Sequence, residues 1–253
     1  QSAFTDYRRQ VYSTTVNKTD GDVRLDMGEG RNSVVNFTGF TLRATAVYKL
    51  NTVFSFQPGV DLNLDKGDGE RLKAGSNEVN DFAFFLSSEI TPNTKINIRP
   101  GLRVIKNSVY DAPPVIPSVN TRFQLSESLD LRVSYARGFR SPSLRELYFS
   151  FFDANHQVVG NPDLKAETSH SFTGALSWKK KLNDDLRFTA QLGGFYNDVR
   201  NQIDYVFTQT SDTARLYNIL RSKTAGANLT TGLTTGNWSI AAGASYTGFY
   251  NDQ

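Results

Sequence analysis

The chain is poor in the residues that build many functional sites. Its 253 residues include no cysteine, two histidines and one methionine. The absence of cysteine excludes a disulfide framework, a thiolate nucleophile and a cysteine-ligated metal site. Two histidines are too few for an ordinary zinc centre. We therefore predict no intrinsic cofactor.

Neither sign of charge is in strong excess. The 28 Lys+Arg residues are nearly balanced by 25 Asp+Glu, which gives a formal net charge of +3. No segment concentrates the basic residues as a surface that follows a phosphate backbone would. A nucleic acid is therefore not predicted as a partner.

Catalytic signatures are also missing. The sequence has no Gly-x-Ser-x-Gly elbow, and neither His156 nor His170 has a serine and a carboxylate at a recognisable spacing. A hydrolase would need such a pairing of nucleophile and base. We predict that the protein is not an enzyme.

Long hydrophobic runs are absent too, since none reaches the roughly 20 residues of a membrane-spanning helix. No signal peptide is visible, although a mature chain or a fragment would have lost one. A transmembrane β-barrel, however, places its lipid-facing residues at every second position and escapes this test. The mean hydropathy of −0.42 therefore leaves a membrane protein open.

What the sequence does contain is alternation of apolar and polar residues with a period of two, which predicts strands. Segment 129–135 alternates Leu129, Leu131, Val133 and Tyr135 with Asp130, Arg132 and Ser134. Strong alternation predicts strands at 53–64, 95–104, 129–135, 185–196 and 237–250. Weaker alternation predicts strands at 7–16, 36–48, 79–89, 118–126, 168–179 and 217–233. That makes about eleven strands and no helix.

These strands suit a membrane barrel. Most have about ten residues, the length that a tilted barrel strand needs. Their polar faces fit a wet interior better than a dry core. Aromatic residues near strand ends resemble an interfacial girdle, although aromatics also simply favour strands. The candidate girdle residues are Tyr48, Tyr110, Tyr135, Trp178, Tyr196 and Tyr250.

The connections between strands alternate in length. Short connections are predicted at 50–52, 91–94, 127–128, 180–184 and 235–236. Long ones are predicted at 17–35, 65–78, 107–117, 138–167 and 198–216. Short turns at one end and long loops at the other are typical of outer-membrane barrels, although a soluble sandwich with uneven loops remains the alternative. Segment 138–167 is then expected outside the cell.

Two further expectations concern the strands themselves. Their count is odd, whereas intact single-chain bacterial barrels have an even number, so we expect an incomplete piece of a larger barrel. Pro58 and Pro100 fall inside predicted strands, where each removes a hydrogen bond from the ladder. We expect a bulge or a register break at both prolines.

The long segment 138–167 carries a family resemblance. Phe139-Arg140-Ser141-Pro142 and Asn161-Pro162-Asp163-Leu164 resemble two boxes of the TonB-dependent outer-membrane receptors. The resemblance implies a portion of a 22-stranded antiparallel barrel in the outer membrane of a Gram-negative cell. It also implies a plug domain outside this chain, through which the TonB complex drives import of a scarce nutrient.

Within that family, the haem receptors resemble this segment more narrowly, because they carry a histidine between the two boxes as a haem ligand. Here His156 occupies that place, while Ser141 departs from the usual alanine. A neutral imidazole is a good ligand for haem iron. Arg140 and Arg145 could pair with propionates. The candidate ligand-binding residues are His156, Arg140, Arg145 and Tyr148. The candidate motif residues are Phe139, Arg140, Pro142, Asn161, Pro162 and Leu164.

Other cargoes and other functions stay open at this point. Both boxes also occur in receptors for siderophores and cobalamin, so Arg137 and Arg140 could instead recognise an anionic iron chelate or the phosphates of lipopolysaccharide. His156 could simply be solvated, and His170 is a weaker candidate ligand. A passive porin or an adhesin barrel is the alternative function. Expected partners are the TonB complex, outer-membrane lipid and lipopolysaccharide, small-molecule cargo and, as a candidate, a surface lipoprotein.

Overall fold

Eleven long strands and five short ones make up most of the protein. The computed structural model describes residues 1–27, 32–72, 76–110, 112–152, 157–183, 185–207 and 213–252. The long strands are β1 Ser2–Val11, β4 Ser33–Thr45, β6 Phe54–Gly69, β7 Ser76–Asn93, β8 Ile96–Asn107, β9 Ile116–Gln124, β10 Leu129–Arg140, β13 Glu167–Lys181, β14 Leu186–Phe207, β15 Thr213–Thr235 and β16 Trp238–Asp252. The short strands are β2 Thr14–Val16, β3 Val23–Leu25, β5 Tyr48–Lys49, β11 Ser150–Phe152 and β12 Gln157–Val159. The described chain has one helix, α1 at Leu144–Tyr148.

The long strands form a single antiparallel meander. Their spatial order is β1-β4-β6-β7-β8-β9-β10-β13-β14-β15-β16, so each pairs with its successor along the chain. Within the described residues β1 and β16 each pair with one long strand, and the sheet is open there. Strands β2 and β3 form a separate hairpin, while β12 lies parallel to β15. The prediction of about eleven antiparallel strands is confirmed.

The two faces of the sheet differ in chemistry, because the register aligns like residues across strands. One apolar row runs through Leu131, Leu176, Leu192 and Leu229. This face is exposed, with Leu192 at 54% and Trp238 at 74%. The opposite face carries ion pairs, among them Arg122–Asp130 at 2.8 Å. Exposed apolar residues on one side and paired charges on the other exclude a dry two-layered sandwich.

The apolar face has the height of a membrane. On β14 it extends from Leu186 to Tyr196. Ten residues rise about 33 Å along a strand, or about 25 Å along a barrel axis at the usual tilt near 40°. That height equals the apolar band of outer-membrane barrels. In the described part of the chain, no helix is long and apolar enough to cross a bilayer.

Among the described residues, the sheet curls around a buried core. Val35 on β4 and Leu216 on β15 belong to the same cluster of buried side chains. Seven strands separate β4 from β15 in the sheet order. In a flat sheet, eight steps of about 4.8 Å would hold them about 38 Å apart. Their shared core therefore requires the strongly curved sheet of a barrel wall.

Several strand boundaries differ from the predictions. Segments 65–78 and 198–216, predicted as long loops, are largely strand, since β6 runs to Gly69 and β14 to Phe207. Beyond the apolar band the outward face turns polar and part of the inner face packs against a buried core, so the ladder continues where alternation no longer marks it. The first strand is Ser2–Val11 instead of 7–16, because the alternation there runs on into the β2–β3 hairpin.

Neither predicted proline bulge is present. Thr45 pairs with Gly59 and Tyr48 with Phe56, so the register is the same on both sides of Pro58. The Ala46 N–H donates to the Pro58 carbonyl at 3.1 Å, and only the reciprocal bond is missing. Pro100 also pairs in an unbroken register with β9. On its other side the register with β7 is the same at Gly101 and Ile98, and it shifts by one residue between Ile98 and Ile96, beyond the proline. Neither proline is itself the position of a shift.

One predicted girdle residue lies elsewhere. Tyr110 follows the end of β8 and packs against the buried core, so its assignment to the girdle is wrong. Tyr135, Phe172 and Tyr196 do form a contiguous aromatic row across β10, β13 and β14, with ring centroids 4.9 and 6.4 Å apart. The aromatic belt at this end of the apolar band therefore rests on those three rings.

Candidate functional site

The segment between β10 and β13 is a folded loop that begins with a capped helix. Ser143 caps α1 by accepting a hydrogen bond from the Glu146 N–H, and the Glu146 carboxylate accepts from the Ser143 N–H at 2.7 Å. This reciprocal capping box satisfies backbone donors that a helix start leaves free. The prediction of no helix is wrong here. Five residues are too few for a periodic signal, but the Ser-x-x-Glu pattern marked the start.

Arg140 ties the beginning of the loop to its end. Its guanidinium makes a two-pronged ion pair with Glu167 at 2.7 Å for both bonds, and it also donates to Glu146 at 2.9 Å. Glu167 further accepts from the Ile203 N–H at 2.7 Å. Two carboxylates already neutralise Arg140, so the geometry gives this candidate residue a positioning role within the loop.

Apolar side chains of the loop fill the space inside the curved sheet. Leu144, Leu147 and Phe149 are buried against Val35, Leu72, Val79 and Leu216. Leu147 is fully buried. The loop also continues the backbone pairing of the wall, because the Ser150 N–H donates to the Arg71 carbonyl at 2.8 Å. The loop is therefore part of the core of the protein.

The second box closes the loop onto the first. The Asn161 N–H donates to the Glu146 carbonyl at 2.9 Å, and its side-chain amide donates to the Leu216 carbonyl at 2.9 Å. Its side-chain oxygen accepts from the Asp163 N–H at 3.0 Å, an Asx turn. Leu164 is then buried at 1% exposure. In this box, Asn161 thus fixes the backbone through hydrogen bonds and Leu164 packs into the core.

Two asparagines outside the predicted set complete this closure. The Asn218 side chain accepts from the Lys165 N–H at 2.7 Å and donates to the Lys165 and Asn201 carbonyls at 2.9 and 2.7 Å. Asn201 itself has a left-handed backbone with φ of 55°, a conformation that asparagine tolerates well. No local pattern links positions so far apart, so the sequence alone did not reveal them.

Among the described residues, Phe139 and Pro162 line one cleft together with Leu164, whereas Arg145 and Tyr148 are not part of its lining. The Arg145 guanidinium is exposed and lies 5.4 Å from the centre of the Phe149 ring. Tyr148 is half-buried against the core. Phe139 is half-buried and Pro142 is fully buried. His156 lies outside the described residues, so its role as haem ligand stays a prediction.

Tyr110 is a half-buried tyrosine with a buried hydroxyl, which the sequence did not single out as part of this site. Its hydroxyl has no hydrogen-bond partner among the described residues. Burial, with smaller contributions from Tyr148 and Glu146, raises its pKa to about 12. Tyr110 therefore stays protonated at neutral pH. Its ring packs beside the loop, and its hydroxyl donates no hydrogen bond within the described residues.

The stability of the loop is expected to fall in acid. Burial disfavours the ionised Glu146, but hydrogen bonds from Arg140 and Ser143 outweigh it and hold the pKa of this carboxyl below its usual range. A carboxyl whose pKa is depressed by folding adds stability above its unfolded pKa, near 4.3, and loses that contribution as the pH falls through the folded value. Hydrogen exchange of α1, corrected for intrinsic rates, should lose protection below about pH 4. Glu146→Gln keeps the capping box and should flatten this profile; an equally steep profile in the variant would contradict the assignment.

Comparison with known proteins places the whole chain in one group. The family model described as "TonB dependent receptor-like, beta-barrel" matches residues 1–253. Among curated proteins, "Hemoglobin and hemoglobin-haptoglobin-binding protein C" of Haemophilus influenzae is 37% identical over 78 residues, which are 31% of this chain and 7% of that protein. "Hemoglobin and hemoglobin-haptoglobin-binding protein B" of the same organism matches equally.

Solved structures with the same fold are larger receptors. The siderophore receptor PirA of Pseudomonas aeruginosa is 16% identical with a TM-score of 0.72, over 87% of this chain and 44% of that one. The haemophore receptor HasR of Serratia marcescens, solved with its haemophore HasA and haem, is 13% identical with a TM-score of 0.70, over 99% of this chain and 45% of that one. At such identities the likeness concerns the fold, and the chain spans less than half of either receptor.

Proposed function

Because the chain belongs to the TonB-dependent receptor family, with a match to the barrel over residues 1–253, we propose that it is the barrel portion of an active importer in the outer membrane of a Gram-negative cell. Members of this family are receptors and transporters, so the protein acts without covalent change to its cargo. The exposed apolar band of about 25 Å supports the membrane location. The rest of the barrel, the plug and the contact with the TonB complex belong to the full receptor.

The proposed cargo is haem or an iron chelate. This choice rests on the curated relatives, whose names describe binding of haemoglobin, and on the siderophore and haemophore receptors that share the fold. The relatives match only a short segment, so the cargo is an inference about the whole receptor. A receptor for cobalamin or another cargo is the alternative within the family.

We assign different roles to the predicted site residues. Arg145 is exposed, so its guanidinium is accessible to a propionate or a chelate carboxylate, and Tyr148 follows it by three residues at the end of α1. His156 is the proposed axial ligand of haem iron. Arg140 positions the loop through Glu146 and Glu167, and its direct contact with a cargo carboxylate stays a prediction.

Haem titration of the full-length receptor tests this proposal. We expect a Soret shift on binding by the wild type and a loss of affinity of about tenfold or more in His156→Ala, because loss of an axial ligand removes a direct bond to iron. The matched control is His170→Ala, which removes the other histidine of this chain. His170 contacts the Tyr135 hydroxyl at 3.0 Å on the outward face, so its loss should leave haem affinity unchanged.

Each other outcome is informative. Equal affinity of wild type and His156→Ala would reject His156 as ligand. Binding of a ferric siderophore but not haem by the wild type would select the iron chelate. Cargo entry that persists after the energy supply of TonB is collapsed would favour a passive porin.

A further inference from the structure

The β2–β3 hairpin has one apolar face and one polar face. Its strands pair Val16 with Val23. A hydrogen bond from the Asp26 N–H to the Ser13 carbonyl at 2.8 Å extends the ladder toward the base of the hairpin. Since the side chains of a strand point alternately to opposite faces, one face collects five apolar side chains and one threonine. The residues of this apolar face are Tyr12, Thr14, Val16, Val23, Leu25 and Met27.

Within the described residues, this apolar face is exposed to solvent. The exposed fraction is 54% for Leu25, 59% for Val23 and 83% for Met27. Tyr12 and Val16 are exposed to a similar extent. Single apolar residues on a surface are ordinary, but a contiguous group of them marks a surface that binds a partner.

Hydrogen bonds hold the hairpin in one shape and fix it to the wall. At the tip, the Asn17 N–H donates to the Asp22 carbonyl at 2.8 Å. At the base, the Asn32 side chain accepts from the Ser13 N–H at 3.2 Å and donates to the Asp26 carbonyl at 2.6 Å. The apolar face is therefore carried by a preformed element, which loses little conformational freedom when a partner binds.

Membrane lipid is too far away to cover this face. On β1 the outward apolar band ends at Phe4, which pairs with Phe40 on β4. Asp6 and Arg8 follow on the same side of the strand, and both are exposed. The strand continues for seven residues from Phe4 to Val11, about 23 Å along the strand or about 18 Å along a barrel axis at the usual tilt. The hairpin begins beyond that point, so its apolar face lies in water.

A flat face of this kind suits a protein better than a small molecule. Small molecules bind in concave clefts, whereas this face is about 13 Å long and two strands wide. Tyrosine and methionine, here Tyr12 and Met27, are enriched in protein interfaces. A stable interface buries about 800 Å² of each partner, so the hairpin supplies the apolar anchor of a contact that extends onto the neighbouring rim.

We propose that the apolar face of the hairpin is a docking surface for a soluble protein that carries haem. The inference rests on the proposed function, in which haem is a cargo, and it names the form in which that cargo arrives. Haem is poorly soluble in water, so it is delivered on a carrier protein. Val35 on β4 packs in the core of the loop between β10 and β13, so the hairpin and that loop lie at the same end of the sheet. A carrier bound to the hairpin is therefore held at the end of the sheet that contains the candidate cargo residues.

Binding of haemoglobin to the full-length receptor in detergent, measured by biolayer interferometry, tests this surface. Leu25→Asp is expected to weaken haemoglobin binding about tenfold or more, because it forces a carboxylate into an apolar contact. The affinity for free haem should stay at the wild-type value, since the hairpin does not hold the cargo itself. The matched control is Thr15→Asp, which adds the same carboxylate to the polar face of the hairpin, opposite Arg24. The control should bind haemoglobin as the wild type does.

Hydrogen exchange of the hairpin amides shows whether Leu25→Asp keeps the strand pairing, as its exposed position predicts. If the pairing is lost, Tyr12→Ser replaces it as the test, because Tyr12 precedes the paired residues of β2. That variant should also weaken haemoglobin binding and leave free haem binding unchanged.

Unchanged haemoglobin binding by a folded variant of the apolar face would overturn the proposal, and so would an equal loss in Thr15→Asp. A lower melting temperature of Leu25→Asp in the absence of haemoglobin would mean that another part of the receptor covers this face. A wild-type dimer that Leu25→Asp dissociates would assign the face to a second copy; both results reject a carrier protein. A wild type that binds free haem but not haemoglobin rejects the docking surface alone, whereas one that binds neither haem nor an iron chelate rejects the proposed function as well.

Discussion

Leu147→Ala is expected to destabilise the loop between β10 and β13 by about 2–5 kcal/mol, the usual range for truncating a well-packed buried leucine. Leu147 has no exposed surface and lies at the centre of the core formed with Leu144, Leu164 and Leu216. The barrel wall has its own ladder of hydrogen bonds, so the loss should appear as local opening of the loop. Hydrogen exchange of α1 in the full-length receptor measures it directly.

A leucine outside the core serves as the control for this prediction. Leu182 lies in the turn between β13 and β14 and is 53% exposed. Leu182→Ala removes the same atoms without leaving a cavity, so exchange in α1 should stay at the wild-type rate. Wild-type protection of α1 in Leu147→Ala would show that the loop does not depend on this core.

Arg140→Gln should have the second largest effect, with a loss of about 2 kcal/mol from the loop once its partial exposure is discounted. The substitution leaves Glu146 and Glu167 facing each other without the cation that joins them. Because these carboxylates are mostly buried, their repulsion should free both ends of the loop at once. Limited proteolysis between β10 and β13 measures the result, and cargo affinity should fall with it.

Arg145→Gln is the control for loop stability, since Arg145 is exposed and its described contact is with the face of the Phe149 ring. Proteolysis should stay at the wild-type rate in this variant. Replacing Glu146 and Glu167 with glutamine in the Arg140→Gln background should restore part of the resistance. No recovery in this triple variant would contradict charge repulsion as the cause.

The number of long strands, their order and their two faces were predictable, because period-two alternation is a local signal. It was strongest inside the apolar band, as in the segment 185–196, which covers the first half of β14. Outside the band the signal vanished, and the ends of β6, β7, β14 and β15 were missed although the backbone pairing continues there. Alternation reports a difference between the surroundings of the two faces. It fails beyond the band, where the outward face turns polar and part of the inner face is buried against the loop core.

The site was predictable in its motifs but not in its contacts. Asn161, Pro162 and Leu164 were recognised from the sequence. The hydrogen bonds of Asn161 with Leu216 and of Lys165 with Asn218 were not, because each joins residues more than 50 positions apart. The same holds for Tyr110, which sequence position alone assigned to the membrane interface. Such contacts arise from the curvature of the sheet, and a single sequence contains no local trace of them.

The position of the loop core also has a consequence for folding order. Leu147 packs against Val35 and Val79 on one side of the wall and against Leu216 on the other. These partners come within reach only after the strands between them have paired and curved, so the chain must close very large loops first. The end of the sheet that holds the loop core is therefore expected to assemble last. Because the contacts of the loop core would not yet be formed in the transition state for folding, they would slow unfolding more than they speed folding.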